Sequence, residues 1–387
     1  MNVETLLREL IKIPSISGEE GEIASYLKTV LQEIGTDKAF IDSIGNVIGM
    51  VKGGGSGLLV VEGHMDTVDI GNPELWDVEP FSGKVIDGWV YGRGSSDMKG
   101  GITSQIKSIE SIKELNYDIY LVYTVQEEIA EGFALREALQ HVLPHYERTV
   151  VVTGEATELN LGLGHRGRAI IDVDFFGRSA HASMPEEGIN ALSAVGDYIS
   201  RLKERAATFP QDPSLGKESA TPIYVRCSPI GLPQLPDTCE LRVDHRLLPS
   251  RNPEELKSIY GGICAEMERL GIIDECTPLI KEIRLTTWKG FILKGMNFFK
   301  GWVNREEMMI KKLLRELKKV YPYARRYYWM FSTDLVYPAG ELGIPSLGLG
   351  PGTEAMAHKP NERVSISEVE KAAEEYQSLY GKLDRFF

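Results

Sequence analysis

Cysteine is scarce in this chain, and what there is forms no metal or redox motif. Cys227, Cys239, Cys264 and Cys276 lie mid-chain, and no two make a CxxC. Neither a zinc ribbon nor a dithiol redox centre is therefore indicated. Long apolar runs are also missing. No stretch approaches the roughly 20 residues a membrane-crossing helix needs. The N-terminus, MNVETLLRELIKI, mixes charge into an amphipathic pattern without the layout of a secretory signal, so a cytoplasmic location is the default expectation. No basic run of note occurs and the net charge is −13, which argues against nucleic acid and anionic membranes as partners. Internal repeats and low-complexity tracts are absent too. What remains reads as a globular enzyme, and 387 residues are too many for one ordinary core, so two domains are expected.

The stretch that organises the rest is GHMDTVD, 63–69, directly after the apolar run GLLVVE. The run reads as a buried strand, which puts His64 and Asp66 where strand gives way to loop. Two residues apart in extended chain, they share a side. A metal-bound imidazole needs its second nitrogen held, and a carboxylate is a usual holder. The pair thus suits a metal ligand, His64, with Asp66 as its orienting partner. The plainer reading is a solvated turn, and context decides between them.

That context comes from the chain in order. Leu6, Leu7, Leu10 and Ile11 have helical spacing, and Ser17 stands as N-cap of a second helix over about 19–34. Strand-like runs follow at 38–51 and 57–63, joined by the turn GGGSG. KVIDGWVYG, 84–92, predicts a hairpin with Asp87-Gly88 at its tip. After GRGSSDMKGG a helix runs through about 115. IYLVYTVQEE is a buried strand ending in two carboxylates, a helix follows near 133–141, and TVVVTGEA is a third buried strand ending in an acid. Strands alternating with helices predict an α/β sheet with both faces covered.

After GHRGRA at 164–169 the texture changes. IIDVDFFG alternates like a half-exposed strand; helices near 188–205 and 253–270 and strands near 222–229 and 238–247 suit a small α+β domain. Helices return at 304–320 and 366–384, with buried-strand and glycine-loop texture between them. The expected architecture is a catalytic domain with a central, mostly parallel sheet, split into 1–167 and 293–387 by an insert at 168–292.

His64, the Glu127–Glu128 pair and Glu155 fall at the C-terminal ends of predicted strands, Asp97 in a glycine-rich loop before a helix, and His358 in the loop GLGPGTEAMAH. Open α/β sheets bind ligands outside the carboxyl ends of their strands, so one edge would collect these groups. Two His and three carboxylates match a pair of zinc ions sharing a bridging carboxylate. Any one of them alone would pass for a surface or capping group.

GHMDTVD, GRGSSDMKGG, VQEE, GEA and AHKPNE, in this order over nearly the whole chain, resemble the M20 metallopeptidases and deacylases, which include glutamate carboxypeptidase, succinyl-diaminopimelate desuccinylase and acetylornithine deacetylase. FSTDLVY and GPGTEAMAH are most similar to a deacylase branch linked by name to selenium metabolism. The resemblance implies a split zinc-hydrolase domain with an inserted lid and dimerisation domain. It implies that Asp97 bridges two divalent ions (zinc, or cobalt or manganese), that His64 and Glu155 complete one site, and that Glu128 and His358 complete the other. Asp66 would hold His64, and Glu127 would be the general base. A Glu at 155 resembles the deacylases more than some aminopeptidases. GRSAHASMPEEGINA looks like the lid motif, with His181 stabilising an oxyanion, often across a homodimer; the alternative is a capping or buried structural His.

Arg246 in DHRLLP is a candidate for a substrate carboxylate or, equally, half of an ion pair with Asp244. Ser332, Thr333, Gly350 and Gly352 either donate to substrate or serve as turn residues. One departure matters. Many family deacylases carry an Asn three residues before a lid-strand Pro, but here Pro233 stands at that distance from Pro236. The implied reaction is hydrolysis of N-acyl amino acids or short peptides bearing a free carboxylate. The alternatives are a dipeptidase or aminopeptidase on the same scaffold, and a catalytically dead binding protein. A dead copy should lack a ligand or the base, and this chain keeps all six.

Overall fold

The computed structural model describes residues 1–110, 112, 115–231 and 233–383. Two compact units emerge: 1–165 with 284–294 and 303–387, and 166–283 with 295–302. Segment 284–294 lies with the larger unit for a local reason. Trp288 packs on Gly21 and Gly45; a Cβ on Gly45 would collide with its ring and one on Gly21 would crowd it, and Gln126 donates its side-chain amide to the Thr286 carbonyl at 2.8 Å.

The larger unit is built on a mixed sheet whose path runs Lys38–Ile41, Val47–Val51, Tyr117–Thr124, Gly57–His64, Arg148–Thr153, Ser346–Gly348, Leu161–His165. Gly57–His64 is parallel to both its neighbours, and Ser346–Gly348 is parallel to Arg148–Thr153. Every residue of Gly57–His64 and of Tyr117–Thr124 is buried, as a sheet covered on both faces requires. Helix Ile366–Leu383 packs on Gly100–Ile109 and Glu307–Val320. The hairpin at 84–91 forms as expected: Lys84–Ile86 pairs with Trp89–Tyr91, and Asp87 and Gly88 both take positive φ, the conformation of a type I′ turn.

Several boundaries differ from the sequence reading. The run 38–51 is not one strand but a hairpin, because Asp42 Oδ1 accepts from the amides of Ile44, Gly45 and Asn46 and closes a turn. The helix after Asp97 ends at Ile109, and 111 and 113–114 of its expected extension lie outside the described residues, as does 384 of the last helix. Ser17 is not a cap. The helix begins at Gly21 with Glu20 in the capping position.

The smaller unit is an antiparallel sheet in the order Ser219–Ser228, Thr238–Leu247, Gly167–Phe176, Glu275–Leu279. Alternate residues of Thr238–Leu247 are buried. Ile171, Val173, Phe175, Leu241 and Val243 form one core with Tyr198 and Leu202 of helix Ala191–Ala207 and Leu256, Tyr260 and Ile263 of helix Pro253–Arg269. Asn252 caps the second helix through a reciprocal bond with Glu255, which satisfies two end donors at once. All four cysteines sit here as disulfides, Cys227–Cys239 and Cys264–Cys276. The sequence reading named no pairing for them. Among the described residues no helix is long and apolar enough to cross a membrane.

Candidate metal centre

Strand Gly57–His64 delivers His64 at its last residue, buried, with the chain turning into the 65–69 loop. His64 Nδ1 donates to the main-chain oxygen of Asp66 at 3.0 Å. A carbonyl can only accept, so Nδ1 carries a proton, which leaves Nε2 as the nitrogen that a proton or a metal ion would occupy. That nitrogen lies 3.0 Å from Asp97 Oδ1 and 3.6 Å from Glu155 Oε1. The orienting group is therefore Asp66, but by its backbone; its carboxylate stands 3.6 Å from Nδ1. That carboxylate has other work. It accepts from the amides of Glu127 (3.1 Å) and Glu128 (3.3 Å) and from the Ser17 hydroxyl (2.6 Å). Ser17 was missed as a site residue because its partner is 49 positions away.

Glu127 and Glu128 follow strand Tyr117–Thr124 in a loop held from beneath. Asp334 accepts from the Thr124 hydroxyl at 2.7 Å and from the Gly132 amide. Ser332 donates to Glu131 at 2.7 Å, and the Thr333 amide donates to His165 Nε2 at 3.2 Å. Ser332 and Thr333 are both buried and committed to protein partners.

Asp97 is the meeting point. Its Oδ1 faces His64 and its Oδ2 lies 3.3 Å from His358 Nε2, which in turn is 2.8 Å from Glu128 Oε2. Donor atoms of His64, Asp97 and Glu128 lie within 4.8 Å of one another, as do those of His64, Glu127 and Glu155. The structure thus brings five of the sequence-derived groups into two triads that share His64, and His358 joins them through Asp97 and Glu128. Glu127 falls beside His64 and Glu155, so proximity alone does not separate a base from a ligand there. Gly350 and Gly352 let the His358 loop approach: a Cβ on Gly350 would strike the Gly154 and Glu155 carbonyls, and one on Gly352 would strike Ser96. They are packing residues.

The electrostatics test whether cations fit. Burial raises Glu127 and Glu155 well above the carboxylate range, the Asp97 charge adding to the effect at Glu155. Burial and Asp97 push Glu128 up to about 7. Hydrogen bonds to Asp97 and Glu128 carry His358 up to about 10. For His64, burial opposes protonation, and bonds to Asp66 and Asp97 overcome it. Asp97 alone goes the other way: burial opposes its ionisation, but hydrogen bonds with His358 and His64 outweigh that and hold it ionised. The raised carboxylates and imidazoles around it say that the cluster gains by taking up positive charge, as protons or as metal ions. Glu155 Oε2 is buried with no hydrogen-bond partner, a donor that a metal would satisfy. The residues fit a pair of divalent cations.

In the smaller unit the His181 ring is exposed. Its Nδ1 accepts from the Ser183 amide at 3.2 Å and lies 2.7 Å from the Ser183 hydroxyl, so the neutral ring carries its proton on Nε2, facing outward. The Pro233–Pro236 segment pairs with this motif through Ala182 N to the Pro233 oxygen at 2.9 Å. Arg246 is held by Asp244 in a two-pronged ion pair, 2.7 and 3.1 Å, so its fork is filled from within the chain.

Comparison with known proteins gives the family. The model of Peptidase family M20/M25/M40 matches residues 60–382. The chain is 30% identical over 383 residues to the protein YgeY of Escherichia coli (strain K12), covering 96% of this chain and 92% of that one. It is 29% identical over 225 residues to a probable succinyl-diaminopimelate desuccinylase of Staphylococcus epidermidis, covering 56% and 55%. An M20 family metallo-carboxypeptidase from Sulfolobus solfataricus shares the fold with a TM-score of 0.77, at 19% identity over the whole of both chains. The α/β fold, the two clusters of metal-ligating groups and the family match together make this chain a member of Peptidase family M20/M25/M40 and a metal-dependent hydrolase.

Proposed function

We propose that the protein is a dinuclear zinc-dependent amide hydrolase of the deacylase or carboxypeptidase type, acting on N-acyl amino acids or short peptides with a free carboxylate. The observation that carries this reading is Asp97, with one oxygen turned to His64 and the other to His358. In the proposed roles His64 and Glu155 hold one ion, Glu128 and His358 the other, and Asp97 stands between. Such ions supply Lewis acidity and draw the pKa of water toward neutrality. Glu127 takes the proton of the attacking water and passes it to the leaving nitrogen. Asp66 keeps the His64 tautomer through its backbone and the Glu127–Glu128 loop through its carboxylate.

His181 is the proposed donor to the developing oxyanion, supported by its outward Nε2–H. The smaller unit is proposed as lid and dimerisation domain. Its edge strand Ser219–Ser228 exposes Ile223, Tyr224 and Val225, an unpaired apolar edge of the kind monomers usually blunt. The selenium-linked branch remains an expectation and supplies no substrate chemistry. A cytoplasmic location is also part of the proposal, and the two disulfides are the observation to weigh against it. A panel of acyl amino acids and dipeptides, assayed with and without chelator, tests the reading. Chelator-sensitive turnover of acyl amino acids supports it; turnover confined to free-amine dipeptides moves the assignment to the dipeptidase alternative.

A further inference from the structure

A second buried pair stands behind the metal cluster, outside every role assigned above. Glu362 and Arg93 are both almost inaccessible and bonded at 2.7 Å. A buried ion pair is a poor source of stability, because desolvating two charges costs about what their attraction returns. Its partners suggest a different purpose. Glu362 Oε1 accepts from the amides of Ser96 (2.9 Å) and Asp97 (3.1 Å), and Oε2 accepts from the amide of Gly94 at 3.1 Å and from Arg93. One carboxylate thus takes three of the four amides over 94–97, those of Gly94, Ser96 and Asp97, in the loop that carries the bridging group, while the Ser95 amide turns back to the Gly92 carbonyl. Glu362 sits four residues after His358. Arg93 extends the link, donating to the main-chain oxygens of Lys359 (3.3 Å) and Asp69 (3.2 Å), while its guanidinium lies over Trp76. The loop after His64, the Asp97 loop and the His358 loop therefore converge on this pair.

We propose that Glu362, locked by Arg93, is a positioning residue that sets the Asp97 carboxylate midway between His64 and His358, and so decides whether the second ion, at Glu128 and His358, is held. The inference rests on the two-ion reading above. The amides pulled back onto Glu362 fix where the Asp97 side chain leaves the backbone. A bridging group displaced by a fraction of an ångström serves one ion at the expense of the other. The half with least other support is His358, whose ring is half exposed and whose backbone takes φ 61, an uncommon conformation that only its surroundings can enforce.

The test is a titration of chelator-stripped, full-length protein with Zn²⁺ followed by calorimetry, repeated with Co²⁺ followed by visible absorption. Wild type should take two ions. Glu362→Gln replaces an acceptor by an amide group facing the Gly94 and Arg93 donors, and should weaken the second ion by roughly 10–100-fold while leaving the first within a few-fold. Arg93→Lys keeps the charge but loses the link to Lys359 and Asp69, and should weaken the same ion by less. It also serves if Glu362→Gln does not fold. Two ions bound at wild-type affinity in the variants would overturn the proposal. So would equal loss of both ions in step with a lowered apo-protein melting temperature, since that describes a general structural role. One ion in the wild type itself would instead defeat the two-ion reading, and is distinguishable from either.

Discussion

Glu127 and Glu128 are adjacent, and the account gives them different chemistry. Glu128 touches His358, whereas Glu127 lies with His64 and Glu155. If Glu127 is the base, Glu127→Ala keeps two ions by metal analysis and loses turnover by about 10²–10⁴-fold; loss of an ion would make it a ligand instead. A second residue offers a test away from the site. Glu375, on the last helix, is fully buried, neither oxygen has a hydrogen-bond partner, and burial pushes its carboxyl up to about 9. The folded state therefore holds this proton more tightly than the unfolded chain. Its contribution is fully present below the ordinary value of 4.5 and is lost as pH rises through about 9, by up to about 1.4 kcal/mol per pH unit across that window. Glu375→Gln should raise the melting temperature at about pH 8 and leave it little changed near pH 5. An equal shift at both would contradict this. The six groups proposed for the site could be picked out of the sequence because each follows a predicted strand or lies in a glycine loop, and the structure brings them close together. Ser17, Asp334 and Glu362 were not assigned, since each acts through a partner at least 49 positions away.

At the scale of elements, periodicity located the helices and the buried strands well, because Leu6, Leu7, Leu10 and Ile11 or the run 57–64 follow the spacing their burial demands. Turns closed by side chains escaped it, as with Asp42 at the first hairpin. Disulfide pairing also escaped it. Spacing carries no connectivity, and only the register of Ser219–Ser228 against Thr238–Leu247 sets Cys227 opposite Cys239. That bond staples an edge strand to its neighbour, and its partners are 12 residues apart. Closing a loop of this size contributes about 3 kcal/mol in the chain-entropy picture. Replacing both cysteines by Ser should lower the melting temperature by several degrees while leaving the metal content unchanged. Thiol titration of protein taken directly from cells gives a companion result: no free thiols if the bonds form there, four if they do not.

For the whole molecule, the proposals join through association. If strand Ser219–Ser228 pairs with a second copy, Val225→Lys on its exposed face should convert a dimer to monomer in sedimentation. A protein that is monomeric from the start would remove the interface. His181→Ala should depress kcat with metal content unchanged. Mixing His181→Ala chains with Glu127→Ala chains then separates action within one chain from action across two. In a dimer working in trans, one site of each hybrid regains both groups and part of the activity returns. A mixture that stays inactive after confirmed subunit exchange confines His181 to its own chain or excludes it.

The claim beneath all of these is that two clusters around Asp97 hold two cations that hydrolysis requires. Metal analysis of undialysed protein, paired with hydrolysis of an N-acyl amino acid before and after chelation and refilling, measures that claim directly. The account predicts close to two divalent ions per chain, activity abolished by chelation, and recovery that needs both ions. A single ion that restores full activity with Glu128 and His358 replaced, or hydrolysis that survives complete chelation, would contradict it.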